Sequence, residues 1–229
     1  MREKKEKLII VGAGEFGEIA YHYFTRWSPY EVVAFSVERN FIDKERLFNL
    51  PIVPFEELEG LYKPEECKIF VAITYTQLNR VRTRLYKKAK EKGFSFATFI
   101  HPTAFIDETA KIGENCFIFE LNNVQYNVRI GNNVILWSKN HIGHRAVIKD
   151  NCFISTGVTI SGYCEIGENC FLGVNSCIAD YKKIAKDCII GAGAVVLKDT
   201  EEGKVYVGNP AKPLEKSSFE TFKVKEVQI

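Results

Sequence analysis

An aliphatic residue occupies every sixth position of this 229-residue chain from Ile100 to Val196. The rule holds without a slip at the positions named at the end of this paragraph. An α-helix repeats about every 3.6 residues and a strand about every 2, so neither element requires a sixth-residue rule. A solenoid of short parallel strands does require one, because each hexad then forms one flat side of a coil. The positions are Ile100, Ile106, Ile112, Ile118, Val124, Ile130, Leu136, Ile142, Ile148, Ile154, Ile160, Ile166, Leu172, Ile178, Ile184, Ile190 and Val196.

The other places of the hexad indicate the shape of the coil. The place four residues after the aliphatic one is mostly small, as at Ala104, Cys116 and Val134. One large and one small inward residue per side suit a triangular coil, in which residues 18 positions apart stack at about 4.8 Å. The place directly after the aliphatic residue is often glycine, and we expect these glycines to supply the positive φ that tight corners need. They are Gly113, Gly131, Gly143, Gly167, Gly173 and Gly191.

Composition argues against several classes of function. The chain has 31 Lys and Arg residues against 29 Asp and Glu and shows no basic block, so we expect no nucleic-acid binding. The apolar run Leu8–Val11 is too short for a signal peptide and no stretch is long enough to span a membrane, so we expect a cytoplasmic protein. The seven cysteines show no metal-ligand spacing such as C-x-x-C, which predicts reduced thiols and no metal site.

Residues 1–98 have the pattern of a separate α/β domain. The literal motif G-x-G-x-x-G, Gly12–Gly17, stands between a predicted strand over 7–11 and a predicted helix over 16–26. The amides of such a turn and the helix N-terminus can hold a phosphate. A nicotinamide enzyme is disfavoured because Ser36-Val37 replaces the expected acidic residue, and because about 90 residues are too few for a two-halved dinucleotide domain. We therefore predict a half-Rossmann platform for one nucleotide.

The hexads and the segment Val207-Gly-Asn-Pro-Ala-Lys-Pro213 resemble the hexapeptide-repeat acyltransferases over roughly residues 98–214. That resemblance implies a left-handed parallel β-helix, with bounds that we set at 99–214, and leaves a tail over 215–229 to which we assign no role. Together with the half-Rossmann domain, the solenoid resembles the bacterial sugar-nucleotide acetyltransferases of glycan and O-antigen synthesis. These include the 4-amino-sugar N-acetyltransferases and their sialic acid O-acetyltransferase relatives.

The resemblance assigns the glycine turn to the nucleotide of a UDP- or dTDP-linked sugar. The glycine turn itself would line this site. Residues at the carboxyl ends of a second predicted strand over 31–35 and a third over 68–73 would line it too. Relatives often carry acids where this chain has Ser36 and Val37, and Glu38 is a loose substitute. The expected nucleotide-site residues are Gly12, Gly14, Phe16, Gly17, Ser36, Glu38 and Thr74.

The segment Asn140–His144 resembles the catalytic H-x-x-H segment of the hexapeptide acyltransferases. Acyl transfer from a thioester needs a base for the nucleophile and a donor for the oxyanion, and imidazole titrates near neutrality. The resemblance makes His144 the general base and His141 a substrate contact. Gly162 stands 18 residues after His144 and should stack on it, and relatives use a glycine amide at this place for the thioester carbonyl. In relatives Glu or Asp often follows the base and orients it, whereas here Arg145 follows.

The family also implies an acyl-donor site. Its trimers hold coenzyme A in a groove between neighbouring solenoids, and the flat sides of a solenoid offer apolar faces that one chain cannot bury. We therefore expect a homotrimer with acetyl-CoA as donor. The expected acetyl-end residues are Ser155 and Gly162, those farther along the groove are Gly173 and Ala192, and those for the phosphates are Lys198 and Lys212.

These features predict an acetyl-CoA-dependent N-acetyltransferase that acts on a nucleotide-linked amino-dideoxy sugar. O-acetylation of a sugar hydroxyl, of the sialic acid type, is an alternative because a histidine base serves both reactions. A non-catalytic nucleotide-sugar-binding scaffold and a nicotinamide enzyme built on the glycine turn are alternatives of other classes.

Overall fold

The computed structural model describes residues 6–225, which divide into two compact units. The first unit comprises the residues up to Thr74 together with Arg84–Phe99. The second comprises Tyr75–Thr83 and the residues from Ile100 onward. A boundary drawn after residue 98 therefore does not anticipate that the short segment Tyr75–Thr83 groups with the solenoid.

The first unit is a mostly parallel sheet with the strand order β3-β4-β2-β1-β5-β6, in which only the pair β3–β4 is antiparallel within the described residues. Its central strand β1 is an apolar run in which Leu8–Val11 are at most 1% exposed, as expected for a strand covered on both faces. The elements are β1 (Glu6–Val11), α1 (Glu15–Trp27), β2 (Tyr30–Val37), β3 (Arg46–Leu47), β4 (Leu50–Pro54), α2 (Leu58–Leu61), β5 (Cys67–Val71), α3 (Arg80–Glu91) and β6 (Ser95–Phe96), with short 3-10 turns at Arg39–Phe41 and Phe55–Glu57.

The strand order of this sheet reverses direction at β1. The chain runs from β1 to β2 on one side and later returns to β5 on the other side of β1. Open parallel sheets bind ligands at the carboxyl ends of strands where the order reverses. Gly12 follows the end of β1 and Ala72 follows the end of β5, so the glycine turn lies at this reversal. The predicted half-Rossmann fold is confirmed, and its role as a nucleotide platform stays a prediction.

The second unit is a left-handed parallel β-helix whose two-residue strands form three flat faces. The first face contains β7 (Phe99–Ile100), β10 (Phe117–Ile118), β13 (Ile135–Leu136), β16 (Phe153–Ile154), β19 (Phe171–Leu172) and β22 (Ile189–Ile190). The second face contains β8 (Phe105–Ile106), β11 (Asn123–Val124), β14 (His141–Ile142), β17 (Thr159–Ile160), β20 (Cys177–Ile178) and β23 (Val195–Val196). The third face contains β9 (Lys111–Ile112), β12 (Arg129–Ile130), β15 (Val147–Ile148), β18 (Glu165–Ile166) and β21 (Lys183–Ile184).

Stacking follows the predicted 18-residue coil. Val124 pairs with Ile142 on the second face, and Ile142 pairs in turn with Ile160. The aliphatic positions point inward and are fully or nearly buried from Ile118 to Val196. At the first coil the core is incomplete, since Ile100 is 38% exposed.

The tight corners are made by the residue three places after each aliphatic position, and the glycine prediction was wrong. Asn115, Asn133 and Asn151 have φ of 54°, 58° and 64°, whereas the six glycines that directly follow aliphatic positions have no positive φ. Asn tolerates the left-handed region because its short polar side chain bonds locally. The glycines are needed for close approach instead, since a Cβ on Gly143 would lie 2.6 Å from the amide N of Gly162 in the next coil.

The segment Tyr75–Thr83 packs on the first face of the solenoid. Arg82 is fully buried, and its guanidinium donates to the carbonyl oxygens of Asn133 and Cys152, both at 3.1 Å. The ring of Tyr75 lies edge-on to that of Phe153, with ring centroids 5.0 Å apart. Charge-assisted bonds to main-chain carbonyls satisfy a cation that burial would otherwise penalise.

The solenoid ends in β24 (Lys204–Val207), which pairs antiparallel with β25 (Lys212–Ser217) and leads into α4 (Ser218–Thr221). Ser217 and Glu220 form a capping box at the start of α4. Residues 226–229 of the predicted tail lie outside the described residues. Across residues 6–225, none of the helices has the length and apolar character that crossing a bilayer would take.

Candidate active site

His144 lies at the corner between the second and third faces, where successive coils place residues in a column. This corner, which we call the histidine corner, comprises residues 126–127, 144–145, 162–163 and 180–181. The imidazole of His144 lies directly against Gly162: a Cβ built on that glycine would lie 2.6 Å from Cε1 and 2.9 Å from Nε2 of the ring. Residue 162 thus stacks on residue 144, and the absence of a side chain on Gly162 makes room for the ring.

The amide of Gly162 already has an acceptor. Its N–H donates to Oδ1 of Asp180, one coil further on, at 3.0 Å. On the other side, the N–H of His144 donates to Oε1 of Gln125 at 3.1 Å. A thioester carbonyl placed at Gly162 would therefore have to share this amide with Asp180 or displace the carboxylate.

One aromatic side chain, that of Tyr163, contacts the exposed ring of His144. Within residues 6–225, no carboxylate lies in hydrogen-bonding reach of this imidazole. Instead Tyr163 meets it edge to face, with centroids 5.3 Å apart and an interplanar angle of 86°. Tyr163 also stacks on Tyr181, with centroids 4.8 Å apart. The ring of the candidate base is therefore positioned by contact with an aromatic side chain.

Arg145, which stands where relatives often have an acid, is held by the same aromatic column. Its Cζ lies 5.6 Å from the ring centroid of Tyr126 and 5.8 Å from that of Tyr163. Both distances are within the range of a cation–π contact. Tyr126 and Tyr163 are 48% and 43% exposed, so the guanidinium lies at the surface.

His141 lies on the second face, apart from the histidine corner. It is half-buried on β14, and its register partners are Asn123 and Thr159. The outward residues of this face carry no charged carboxylate, Lys or Arg. They are Phe105, Asn123, His141, Thr159, Cys177 and Val195.

Apart from Lys212, the predicted acyl-donor residues divide between two corners that border the second face. Lys198 is exposed where the column of the histidine corner continues, two coils beyond Gly162, or roughly 10 Å along the axis. Ser155 is 8% exposed on the corner between the first and second faces, and Gly173 stacks on it one coil further. A Cβ on Gly173 would lie 2.6 Å from the amide N of Ala192, so these two residues also adjoin. Lys212 is exposed at the start of β25.

The three glycines of the glycine turn in the first unit differ in backbone conformation and surroundings. Gly12 has φ of +117°, and a Cβ there would lie 2.7 Å from the carbonyl oxygen of Ala72. Gly14 is the N-cap of α1, and a Cβ there would meet nothing within 4 Å. A Cβ on Gly17 would lie 2.3 Å from the carbonyl oxygen of Gly12, so this glycine lets the helix approach the turn. The open side at Gly14 is where a phosphate can reach the helix N-terminus.

The remaining residues predicted to line the nucleotide site differ in how far their side chains are buried. Phe16 is 5% exposed and packs edge-on to Phe70, so only its backbone can line a site. Ser36 is fully buried, and its Oγ has no hydrogen-bond partner. Thr74 is half-buried beyond the end of β5.

Glu38 is engaged by an arginine that the sequence did not single out. Arg84 donates to both oxygens of the Glu38 carboxylate, at 2.6 and 2.8 Å. These hydrogen bonds hold the pKa of Glu38 below its usual value, although partial burial opposes the shift. The same contact raises the pKa of Arg84. The pair is a bidentate fork, which fixes the carboxylate at the end of β2.

Sequence reasoning missed Asp180, Tyr163 and Arg84. The 18-residue arithmetic that leads from His144 to Gly162 leads one step further to Asp180, and from Arg145 to Tyr163, so two of the three could have been found. No sequence signal connects Arg84 to Glu38.

Cysteine thiols and metal-ligand clusters are not part of the candidate site within residues 6–225. In the described part of the chain, no three His, Cys, Asp or Glu side chains gather as metal ligands. The five cysteines at inward positions of the solenoid are free and buried, whereas Cys177 is half-buried on the second face. Burial raises the pKa of Cys116 to about 12. A thiol of that kind is a core filler and a poor nucleophile.

Similarity to known proteins covers both units. A family model described as the GMPPB C-terminal domain matches residues 95–195. No curated protein sequence matches the chain significantly. The acetyltransferase domain of PglB from Neisseria gonorrhoeae is 27% identical, with a TM-score of 0.82 over 92% of this chain and 100% of that one. The same domain has been solved in complex with acetyl coenzyme A, with 26% identity, a TM-score of 0.82 and the same coverage of 92% and 100%.

PerB from Caulobacter crescentus, solved in complex with CoA and GDP-perosamine, is 25% identical, with a TM-score of 0.81 over 91% of this chain and 97% of that one. Both proteins match along the first unit as well as the solenoid, at nearly their full length. The chain is therefore similar over nearly its whole length to solved bacterial sugar acetyltransferases, and the enzyme class that this similarity supports is acyltransferase.

Proposed function

We propose that the protein transfers the acetyl group of acetyl-CoA to the amino group of a nucleotide-linked amino-dideoxy sugar. The observation that carries this proposal is the exposed imidazole of His144 lying against Gly162, since it sets a base beside a main-chain amide at one surface corner. The relatives solved with acetyl coenzyme A, and with CoA and GDP-perosamine, support the same donor and the same class of acceptor.

In the proposed reaction His144 takes a proton from the sugar amine as its nitrogen attacks the thioester carbonyl. The new carbon–nitrogen bond leaves a tetrahedral oxyanion, and the amide of Gly162 donates to it. Collapse of the intermediate breaks the carbon–sulfur bond, and the proton held by His144 goes to the departing thiolate of CoA. Base and oxyanion donor are the two groups that such a transfer requires.

Two contacts shape how well these groups perform. Tyr163 restricts the imidazole by edge-to-face packing, which replaces the acid that follows the base in many relatives. Asp180 accepts from the Gly162 amide, so the oxyanion would share this donor with the carboxylate unless it displaces the carboxylate. Such a shared donor would be weaker than a free one.

The nucleotide would bind at the glycine turn, with a phosphate at the open side of Gly14. The nucleobase and ribose of the nucleotide would then lie toward Ser36, Glu38 and Thr74, at the carboxyl ends of β2 and β5. UDP and dTDP are the nucleotides that the family resemblance suggests, and the GDP-perosamine bound by PerB adds GDP to the set to be tested.

The proposed assembly is a cytoplasmic homotrimer with the acyl donor held between neighbouring solenoids. The second face supports this because its outward residues lack Lys, Arg and carboxylate side chains and it is bordered by both corners with predicted donor residues. Lys198 and Lys212 are the proposed contacts of the CoA phosphates. Sedimentation velocity of the full chain gives the oligomeric state.

The test is release of free thiol from acetyl-CoA with a panel of UDP-, dTDP- and GDP-linked 3-amino and 4-amino sugars. We expect release with at least one amine, and we expect His144→Ala to lower kcat by about 10²- to 10⁴-fold while nucleotide binding is retained. His22→Ala, an exposed histidine of α1, is the control and should keep wild-type turnover.

Release with hydroxyl acceptors alone would replace N-acetylation by O-acetylation. No release with any acceptor, or equal turnover in His144→Ala, would refute the proposal and favour a scaffold.

A further inference from the structure

We propose that Arg145 binds an anionic group of the acceptor and thereby selects acceptors that carry a negative charge within about one sugar ring of the reacting nitrogen or oxygen. This inference rests on the proposed function. It assigns a specificity role to the one residue of the H-x-x-H region that departs from the family pattern. The support comes from backbone strain, from the pairing of the cation and from its distance to the base.

The histidine corner holds large side chains at backbone positions that disfavour them. Arg145, Tyr163 and Tyr181 have φ of 60°, 58° and 60°. The left-handed region is strained for a large L-residue, and Asn, Asp or Gly avoids most of that strain. The equivalent positions at the corner between the third and first faces are all Asn or Asp, namely Asn115, Asn133, Asn151, Asn169 and Asp187.

Strain of this kind is common at functional sites. The third corner also has two large residues at such positions, Leu121 and Lys139, so strain alone does not identify a site. At the histidine corner, however, the strained side chains contact one another and the candidate base. That combination is absent from the contacts described for Leu121 and Lys139.

The guanidinium of Arg145 is pre-positioned and lacks a counter-ion. Over residues 6–225, no carboxylate lies within ion-pair distance of it, whereas Arg84 has Glu38 and Arg80 has Asp187. Cation–π contacts with Tyr126 and Tyr163 hold the group without using its N–H donors. An arginine fixed by ring contacts retains a planar fork that matches a carboxylate or a phosphate.

The position of Arg145 relative to His144 indicates which substrate supplies the anion. Both side chains contact Tyr163, the ring of His144 at 5.3 Å and Cζ of Arg145 at 5.8 Å. An anion on Arg145 therefore lies near the atom that His144 deprotonates. The phosphates of coenzyme A do not meet this condition, because the whole pantetheine arm separates them from the thioester. The acceptor does, through the phosphate on its anomeric carbon or through a carboxylate on its ring.

Steady-state kinetics of two variants test the inference. Arg145→Asn removes the charge and installs the residue that other corners already use, so the coil should stay folded. Arg145→Lys keeps the charge and loses the fork. We expect Arg145→Asn to raise the KM of the acceptor by about 10- to 100-fold, since a hydrogen-bonded charge is lost, with an unchanged KM for acetyl-CoA. Arg145→Lys should fall in between.

The choice of acceptor separates the two sources of the anion. A penalty with nucleotide-linked neutral sugars assigns the phosphate, and a penalty confined to sugars that carry a carboxylate assigns the ring carboxylate. A change in the KM of acetyl-CoA alone would overturn the inference. So would an altered pH profile of kcat with an unchanged acceptor KM, because that result belongs to a residue that orients His144.

A binding measurement keeps this inference distinguishable from the proposed function. Protein labelled with 3-fluorotyrosine is titrated with pyrophosphate, glucuronate and, as a neutral control, glucose, and the fluorine resonance of Tyr163 is assigned with Tyr163→Phe. We expect a shift with an anion, no shift with glucose and no shift in Arg145→Asn. A shift without turnover would support the anion site and refute the acetyltransferase. Turnover without any dependence on Arg145 would do the reverse.

Discussion

Gly162→Ala is the substitution that most directly tests the pairing of base and glycine. The new Cβ would lie 2.6 Å from Cε1 and 2.9 Å from Nε2 of His144, whereas ordinary contacts begin at 3.4 Å. The ring must therefore move by about 1 Å. A misplacement of that size at a catalytic group costs on the order of 10²-fold in rate. Because the ring is an exposed side chain that can swing away, the free energy of unfolding should change by less than about 1 kcal/mol.

Gly143→Ala is the matched control, since this glycine directly precedes His144 and the histidine corner. Its Cβ would lie 2.6 Å from both the amide N of Gly162 and the carbonyl carbon of Ser161, which are main-chain atoms of the next coil. Backbone cannot move aside cheaply, so this variant should lose about 1–3 kcal/mol of stability. For a chain of this size, each kcal/mol lowers the melting temperature by roughly 2–4 °C.

The assay measures kcat by thiol release and the melting temperature by circular dichroism for the wild type and both variants. We expect Gly162→Ala to keep its melting temperature and lose about two orders of magnitude in kcat. If Gly162→Ala retains wild-type kcat, the ring does not act from the position it has in the structure. If the melting temperature of Gly162→Ala falls as far as that of Gly143→Ala, the ring of His144 cannot move aside as the reasoning assumes.

Two further perturbations concern the first unit. Gly12→Ala should lose about 1–3 kcal/mol of stability, because φ is +117° and the new Cβ meets the carbonyl oxygen of Ala72. Gly14→Ala should keep the wild-type melting temperature and lose only affinity for UDP, dTDP or GDP, measured by calorimetry. Equal melting temperatures of the two variants would contradict this difference. Hydrogen bonds from Arg84 lower the folded-state pKa of Glu38, so the stability from this pair is present above the unfolded value near 4.5 and is lost as pH falls through the lower folded value. Glu38→Gln should therefore flatten the fall of melting temperature below pH 4.5, and an unchanged slope would exclude the pair as a source of acid sensitivity.

The periodic part of the structure could be predicted from the sequence because the solenoid converts sequence distance into spatial distance. The same arithmetic that stacks Val124 on Ile142 places Gly162 against His144. The repeat did not predict the backbone conformation of the glycines that directly follow aliphatic positions. A repeat shows that these positions need a small residue, but it does not show whether the cause is a positive φ or a close contact. Close approach between coils and a left-handed backbone both favour glycine, and only coordinates separate the two causes.

The non-periodic contacts could not be predicted. Nothing in the order of residues indicates that Arg84 on a helix reaches Glu38 at a strand end, or that Arg82 is buried against carbonyls of the solenoid. Such contacts depend on how a helix packs, which the hexad rule does not describe. Asp180 is intermediate: its column was predictable, but its hydrogen bond to the amide proposed as the oxyanion donor was not.

The coil separates the residues that set the fold from those that set the chemistry. Inward positions of each hexad are aliphatic or small and almost completely buried, and they supply the stability of the solenoid. At the histidine corner the side chains of Arg145 and Tyr163 are exposed, so a change there leaves the inner packing intact. Arg145 and Tyr163 occupy corner positions where Asn would be less strained by roughly 1 kcal/mol each.

A protein with a long, regular core can accept that cost at a few positions, because each coil adds several buried aliphatic side chains. The place where the chain accepts it is the corner of His144. The double variant Arg145→Asn, Tyr163→Asn should therefore be more stable than the natural chain and have a lower kcat/KM. If these side chains served the fold instead, the double variant would be less stable than the natural chain.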